Sequence, residues 1–241
     1  MARSEQIFVI GDAPLVEEYS TLCVNKGFTV FAKVKPGERA SLPKGVKISS
    51  RGPKKPSIIL ELTNISTGIK RKNLSTIDRV APSGVPIISS SLTVTVAEQS
   101  TWISKPGRLI GIGALPSLLD GQLVELARST STSEQTVDKV RKFVSSLGKE
   151  AAMVRDSVGL VMPRILCMLA NEAYFAMMEG VAGGDDVDTA MKLGTNYPVG
   201  PVEWARRIGI DHVFSVLSAL YLHFGEDRYR VAPLLRTEAL Q

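Results

Sequence analysis

The sequence has little of the chemistry that metal sites and disulfide scaffolds require. Its 241 residues include only two cysteines and two histidines. Cys23 and Cys167 lie 144 positions apart, and neither belongs to a CxxC pair or lies near a histidine. The sequence therefore predicts no metal site and no disulfide framework, and we expect both cysteines to be reduced core residues.

Long apolar runs are also missing. No stretch approaches the about 18 to 20 apolar residues of a membrane-spanning helix, and the opening residues, MARSEQIFVIGDAP, hold an early strand without a secretory hydrophobic region. A composition of 44% hydrophobic and 22% charged residues is typical of a globular chain with a sizeable core. We expect a cytoplasmic protein with no membrane partner.

Acidic residues are scarce in one segment. From Lys33 to Lys55, eight basic residues accompany one acid, Glu38, in a chain of net charge +5. Frequent Pro and Gly predict a loop or short hairpin there rather than a helix. The segment has no aromatic residues to stack on bases, so we expect no nucleic-acid partner. Two interpretations stay open: a solvated loop, or contact with a phosphate-rich small molecule such as CoA or a dinucleotide.

The first part of the chain alternates short apolar runs with helical stretches, which is typical of a parallel sheet covered by helices. Helices are predicted over 14–25, where Pro14 suits the first turn, and over 133–147, before Gly148. The predicted strands are residues 7–10, 28–31, 58–62, 85–88, 108–111, 123–126 and 151–154.

After Asp156 the pattern is helical only. A long helix is predicted over 164–179, and six of the seven methionines lie between Met153 and Met191. The methionines suit an adaptable core, a helix partner or an acyl-chain tunnel. The predicted fold is α/β: a Rossmann-like domain, residues 1–155, followed by a smaller all-helical domain, residues 156–241. One face of the long helix is predicted to carry Ile165, Met168, Leu169, Glu172, Phe175 and Ala176.

The turn after the first strand is where a phosphate-binding G-x-G-x-x-G loop belongs. Only its first glycine, Gly11, is present, because Ala13 and Val16 replace the other two. Asp12 adds a negative charge beside the helix N-terminus, where it opposes phosphate binding. Residues 33–35 (KVK) stand where an acid would hold the ribose hydroxyls. The loop alone leaves two interpretations, a weak dinucleotide site or a Rossmann-like scaffold that binds none.

Five segments of the C-terminal half resemble the helical domain of the 3-hydroxyacyl-CoA dehydrogenase family. They are residues 156–164 (DSVGLVMPR), 171–173 (NEA), 186–201 (DVDTAMKLGTNYPVGP), 208–211 (IGID) and 229–236 (YRVAPLLR). In the N-terminal half, residues 110–113 (IGIG) and 123–125 (LVE) resemble the family's catalytic strand region, and residues 89–92 (SSSL) its active-site turn. The resemblance implies NAD as cofactor, an acyl-CoA ligand and a homodimer formed through residues 156–241.

The resemblance also implies the catalytic residues. In the family a histidine abstracts the hydroxyl proton while hydride passes to NAD, and a glutamate stabilises the charged histidine. The glutamate corresponds to Glu125, but the histidine position, twelve residues earlier, is Gly113. Ser90 and Lys70 match positions near the nicotinamide, and Gly11 matches the cofactor loop. The site implied by the resemblance therefore lacks its base.

Other positions depart from the family in part. Asn171 matches a substrate-facing position, or it is a polar residue holding two helices together. Family asparagines correspond to Pro116 and Pro163. His212 and His223 are the only histidines that could replace the base; eleven residues apart, they share one helical face, and we predict them at the surface or at an interface.

Two hypotheses about function follow. In the first, the chain is an NAD-dependent 3-hydroxyacyl-CoA dehydrogenase of fatty-acid metabolism with an unrecognised base. In the second, it is a non-catalytic paralogue that keeps the fold and the dimer surface and binds an acyl-CoA, a partner subunit or nothing. The missing base and the altered phosphate loop favour impaired or absent activity.

Overall fold

A computed structural model describes residues 5–34 and 41–241. Its strands are β1 (Gln6–Gly11), β2 (Thr29–Lys33), β3 (Lys47–Ile48), β4 (Ile58–Leu62), β5 (Ile87–Ser90), β6 (Leu109–Ile112), β7 (Leu123–Ala127) and β8 (Glu150–Val154). Its α-helices are α1 (Ala13–Asn25), α2 (Thr67–Val80), α3 (Val96–Ser100), α4 (Glu134–Ser146), α5 (Met162–Met178), α6 (Gly184–Thr195), α7 (Pro201–Ile208), α8 (Ile210–Phe224) and α9 (Pro233–Ala239).

The strands form one sheet in the order β3-β2-β1-β4-β5-β6-β7-β8. The first six strands of that order are parallel, which is the arrangement of a doubly wound Rossmann-like sheet. The predicted α/β class with a helical C-terminal part is confirmed. One feature differs from a purely parallel sheet: β7 pairs with β6 antiparallel. No helix lies between these two strands, so the chain turns back instead of crossing over.

The predicted helix ends have clear physical causes. Helix α1 has a proline in its first turn, as predicted at Pro14. Helix α4 starts after Ser133, whose hydroxyl accepts the amide of Thr136 at 3.2 Å. The helix ends before Gly148, which has a φ of 76° that favours glycine.

The basic segment contributes a short strand to the edge of the sheet. Within it, β3 pairs in parallel with β2, Lys47 beside Phe31 and Ile48 beside Ala32. This arrangement is a parallel edge strand rather than a hairpin, so the hairpin alternative is wrong for these residues. Residues 35–40, which include Glu38 and two of the basic residues, lie outside the described residues.

The helical half and the sheet share a hydrophobic core. One buried cluster combines Phe8 and Ile59 of the sheet with Tyr174 and Leu217 of the helices. A second cluster lies on the other face of the sheet, beneath α1 and α4. The sheet ends with β8 at Val154, and the domain boundary near Arg155 stays a prediction.

Helix α5 buries residues other than those of the predicted shared face. Leu166, Cys167, Ala170, Ala173 and Tyr174 are buried, whereas Ile165 is 54% exposed. The other apolar members of the predicted face are half-buried. Small residues lie on the inner face because α5 packs closely against α7 and α8. Both cysteines are free and buried, as predicted, and burial raises the pKa of each thiol to about 12.

Candidate active site

Gly11 ends β1 where that strand passes very close to β4. Its φ is 151°, and a Cβ there would lie 2.4 Å from the carbonyl carbon of Leu62. Only glycine fits such a contact without moving backbone. Gly11 thus has a packing role in the fold, and its role in cofactor binding stays a prediction.

The Asp12 carboxylate is held by the backbone that follows β4. Its Oδ2 accepts the amide N–H of Asn64 at 2.6 Å and that of Ile65 at 3.1 Å. Although Asp12 precedes the first residue of α1, its side chain makes no capping bond to that helix. A negative charge is therefore fixed in the turn between β1 and α1.

Ser90 and Asn64 form a buried hydrogen-bonded pair at the ends of β5 and β4. The Ser90 hydroxyl donates to the Asn64 amide oxygen at 2.6 Å, and the Asn64 amide nitrogen donates to the Ala114 carbonyl at 2.8 Å. Ser90 is therefore fixed next to the loop that follows β6. Its assignment to the nicotinamide site stays a prediction, and Asn64 is a member of the site that sequence reasoning missed.

Lys70 is fully buried and bound on all sides by protein oxygens. Its ammonium donates to Glu61 at 2.6 Å, to the Ser90 carbonyl at 2.9 Å and to the Ser89 hydroxyl at 3.2 Å. Three acceptors match the three donors of a lysine. In this structure Lys70 therefore links α2 to β4 and β5, and its predicted contact with cofactor stays untested.

Glu125 lies beside Gly113, as the predicted correspondence requires. A Cβ on Gly113 would lie 3.4 Å from the Glu125 Cβ and 3.7 Å from its Oε2. The carboxylate accepts the amides of Val161 at 2.9 Å and Met162 at 2.8 Å, where α5 begins. The negative charge is favourable at a helix N-terminus. Glu125 thus has a structural partner in α5 and no imidazole at position 113.

Asn171 connects α5 with the segment before α9. Its amide nitrogen donates to the Arg230 carbonyl at 2.9 Å, and its amide oxygen accepts the amide of Ala232 at 2.8 Å. Both ends of the side chain are engaged by backbone, and the residue is 3% exposed. These bonds are those of the alternative interpretation, a polar residue that holds two segments together, and the substrate-facing role stays a prediction.

The two histidines lie at opposite ends of α8 in different surroundings. His223 is exposed. His212 is 1% exposed within the chain and lines a cavity with Asp12 and Asp211, so the prediction that it lies at the surface or at an interface is wrong. Helical periodicity places the two rings on one face, but it does not show that the first turn of α8 lines a cavity together with the β1–α1 loop.

Clusters of metal-ligating side chains and membrane-spanning helices are absent from the described ranges. No three His, Cys, Asp or Glu side chains there are grouped so that they could hold a metal ion. Within residues 5–34 and 41–241 no helix combines the length and the apolar content needed to cross a bilayer.

The sheet order and the helical half define a two-part α/β protein, with a Rossmann-like sheet followed by helices only. Comparison with family models makes the assignment specific. Residues 52–157 match the 3-hydroxyacyl-CoA dehydrogenase NAD binding domain, and residues 159–240 match the C-terminal domain of the same family. The chain belongs to the 3-hydroxyacyl-CoA dehydrogenase family, whose members act in acyl-CoA metabolism with NAD as cofactor.

Sequence comparison with individual proteins supports the same family. A probable 3-hydroxybutyryl-CoA dehydrogenase of Bacillus subtilis is 34% identical over 179 residues, which are 74% of this chain and 62% of that protein. The Bradyrhizobium diazoefficiens 3-hydroxybutyryl-CoA dehydrogenase is 31% identical over 74% of this chain and 61% of its own length. The matched regions thus span about three fifths of these relatives.

Solved structures show the same fold. The (S)-3-hydroxybutyryl-CoA dehydrogenase PaaH1 from Ralstonia eutropha has a TM-score of 0.78 at 27% identity, covering 97% of this chain and 93% of that one. FadB2 from M. tuberculosis has a TM-score of 0.85 at 20% identity, covering 99% and 95%. The likeness therefore extends over both halves of the chain.

Proposed function

We propose that this chain is a non-catalytic or strongly impaired member of the family. The family reaction is the NAD-dependent oxidation of 3-hydroxyacyl-CoA to 3-oxoacyl-CoA. The observation that carries the proposal is the position beside Glu125, where Gly113 supplies no side chain. A hydroxyl proton then has no imidazole to receive it.

Glu125 is poorly suited to replace the missing base. Both carboxylate oxygens already accept amide protons from the first residues of α5. The carboxylate is thereby tied to the start of α5 by two hydrogen bonds. His212 is buried and lines a cavity with Asp12, and Gly113 is not among the residues that line that cavity. Loss of a general base typically costs about 10² to 10⁴ in rate.

The β1–α1 loop fits a dinucleotide poorly. Asp12 puts a carboxylate in the turn between β1 and α1, whose negative charge opposes a pyrophosphate there, and Pro14 offers no amide proton. Lys33 and Val34 supply no carboxylate for the ribose hydroxyls. The residues present therefore disfavour NAD, although NAD is the cofactor of the family.

A partner role is the second candidate. Large apolar side chains are exposed on the helical half, among them Leu193 and Leu222, each 83% exposed. Such side chains favour a homodimer or a complex with an active relative. In this role the chain would bind an acyl-CoA without converting it.

Turnover tests the catalytic part of the proposal. Reduction of acetoacetyl-CoA by NADH is measured for the wild type, Glu125→Gln and the control Glu134→Gln, an exposed carboxylate on α4. The wild type is expected to be no faster than Glu125→Gln, because that carboxylate has no imidazolium to stabilise. A wild-type rate of ordinary dehydrogenase size that falls in Glu125→Gln alone, with a bell-shaped pH profile, would show that another group serves as base.

A variant that restores a histidine at position 113 also tests whether the missing base limits activity. Gly113→His places an imidazole within reach of Glu125 but has to displace Leu160, whose Cδ1 would lie 3.3 Å from the new Cβ. We expect at most a small recovery, because misplacement of about 1 Å can cost two orders of magnitude. Restoration of an ordinary rate would mean that the cofactor and substrate sites are intact.

A further inference from the structure

A cavity of about 500 Å³, here named the amino-end cavity, lies at the edge of the sheet opposite the candidate active site. Known small-molecule sites span about 300–1,000 Å³. The cavity is lined by residues that start or immediately precede β1, β2, β4 and β5, together with one side of α4. Gly11, Asn64 and Ser90 lie at or just after the other ends of these strands. A ligand in the amino-end cavity therefore leaves the candidate active site free.

Rings form the apolar wall of this cavity. Phe28 and Phe143 pack edge to face, with their ring centroids 5.7 Å apart and an angle of 64° between the ring planes. Pro56 and Pro86 line the same cavity, and both are buried. Packed aromatic rings and prolines have little conformational freedom to lose when a ligand binds. The wall is therefore formed in advance, and it suits a ligand with an apolar body.

Two lysines of α4 give the cavity its charge. Lys139 and Lys142 are three positions apart on the same side of the helix, and both line the cavity. Lys139 donates to the Gly84 carbonyl at 3.1 Å, which accounts for one of its three donors.

The charge of these lysines is not balanced within the cavity. The Lys142 ammonium makes no hydrogen bond or ion pair with any residue in the part of the chain that the structure describes. Among the described residues, Glu5 is the one acid that lines the cavity. Two cations beside one carboxylate favour an anionic ligand.

The headgroup of the ligand follows from the donors that are present. No arginine and no helix N-terminus lines the amino-end cavity among the described residues, and these are groups that commonly hold phosphate. Two lysine ammoniums instead suit a single carboxylate. A purely polar anion would leave the rings uncovered, and an uncharged apolar molecule would leave the ammonium of Lys142 without a counter-ion.

We propose that the amino-end cavity binds a monocarboxylate with an apolar tail. The tail lies against the rings of Phe28 and Phe143, and the carboxylate pairs with the ammonium groups of Lys139 and Lys142. This site lies at the opposite edge of the sheet from Gly113, so it does not depend on whether the chain catalyses turnover.

Calorimetry with the whole chain tests the proposal with three probes. Octanoate has both the charge and the tail, acetate has the charge alone, and 1-octanol has the tail alone. Octanoate is expected to bind at least tenfold more tightly than either of the others, because it alone contacts both the ammonium groups and the rings. An octanoate affinity no higher than that of acetate or of 1-octanol would overturn the proposal.

The contribution of the charge is tested with Lys142→Gln. This variant should bind octanoate about fivefold more weakly and 1-octanol as tightly as the wild type, because an ion pair near the surface is lost and the rings remain. Arg141→Gln is the matched control, since it removes one positive charge from the neighbouring position of α4, which is exposed and does not line the cavity. Equal losses in the two variants would overturn the proposal, because overall charge would then explain the binding.

The cavity itself is tested with Ser146→Phe. Ser146 is the last residue of α4, is exposed and lines the cavity, so the new ring should occupy the space and weaken octanoate and 1-octanol binding at least tenfold. Ser145→Phe, at the exposed neighbouring position outside the cavity, should keep both affinities. Unchanged binding in Ser146→Phe would overturn the proposal. Should that variant fail to fold, Lys142→Gln and its control decide the question, and turnover at Gly113 is measured independently.

Discussion

Among single residues, His212 is expected to give the chain a specific pH dependence. Burial lowers its pKa in the folded state below the ordinary value of 6.5, while Asp12 and Asp211 act in the opposite direction. The unfolded chain therefore binds more protons than the folded chain as the pH falls below about 6.5. The free energy of unfolding therefore keeps its full value above about pH 6.5 and decreases as the pH falls from there toward the lower pKa of His212 in the folded state.

The measurement is urea unfolding from pH 7.5 to pH 5 for the wild type and His212→Phe. The variant should lose less stability over this range and should be about 1 kcal/mol more stable at pH 7, because two unpaired buried nitrogens are removed. His223→Gln, at the exposed end of α8, serves as the control. Parallel pH curves for the wild type and His212→Phe would contradict the prediction.

Gly11 is expected to be required for folding irrespective of any cofactor. In Gly11→Ala the new Cβ meets the backbone of Leu62, which cannot rotate away as a side chain can. We expect a loss of about 3 kcal/mol or more in the free energy of unfolding. Gly84→Ala is the matched control, because a Cβ there meets nothing within 4 Å. Equal denaturation midpoints for the two variants would rule out the packing role.

Single residues were also the least predictable part of the site. The sequence indicates that position 113 lacks a side chain and that Asp12 carries charge at the phosphate loop. It does not show that Asp12 bonds to the amides after β4, because that contact joins positions 52 residues apart. The burial of His212 escaped prediction for the same reason, since it depends on which loop covers the first turn of α8.

At the level of elements, the hydrophobic pattern predicted the limits of an element best where the element is buried on one face or on all sides. Strand β4 was predicted with its observed limits, and its five residues are all buried. The direction of β7 could not be predicted from its own residues. The segment that connects β6 to β7 sets this direction, and an apolar run reads the same in a parallel and in an antiparallel strand. The buried face of α5 is not specified by the sequence, because its positions include small residues that contribute little to an apolar pattern.

Helix α7 illustrates an element that depends on a single carboxylate. Asp188 of α6 accepts the amides of Val202 at 2.8 Å and Glu203 at 2.9 Å, and it is buried. Asp188→Ala should lower the free energy of unfolding by about 1–3 kcal/mol, because two amide protons at the start of α7 lose their acceptor. Thermal or chemical denaturation measures this loss. Asp138→Ala, an exposed position on α4, should change stability by less than about 0.5 kcal/mol.

For the whole molecule, the distribution of apolar side chains is unequal. The sheet half is covered by helices on both faces, and its clusters extend into the helical half. The helical half in turn exposes Val181, Leu193 and Leu222, each at least 72% accessible. Folding of a single chain does not bury these three side chains. We therefore expect the chain to associate through its helical half.

Homodimerisation through the helical half is the corresponding prediction. Light scattering at tens of micromolar should give twice the mass of one chain, and Leu193→Glu and Leu222→Glu should each shift the equilibrium toward monomer, because a charge in a buried interface is costly. Ile48→Glu, at the edge strand β3 and 43% exposed, should leave the mass unchanged. A monomeric wild type at this concentration would refute the prediction. Equal dissociation in all three variants would mean that added charge alone separates the chains, and that the helical half is not the interface.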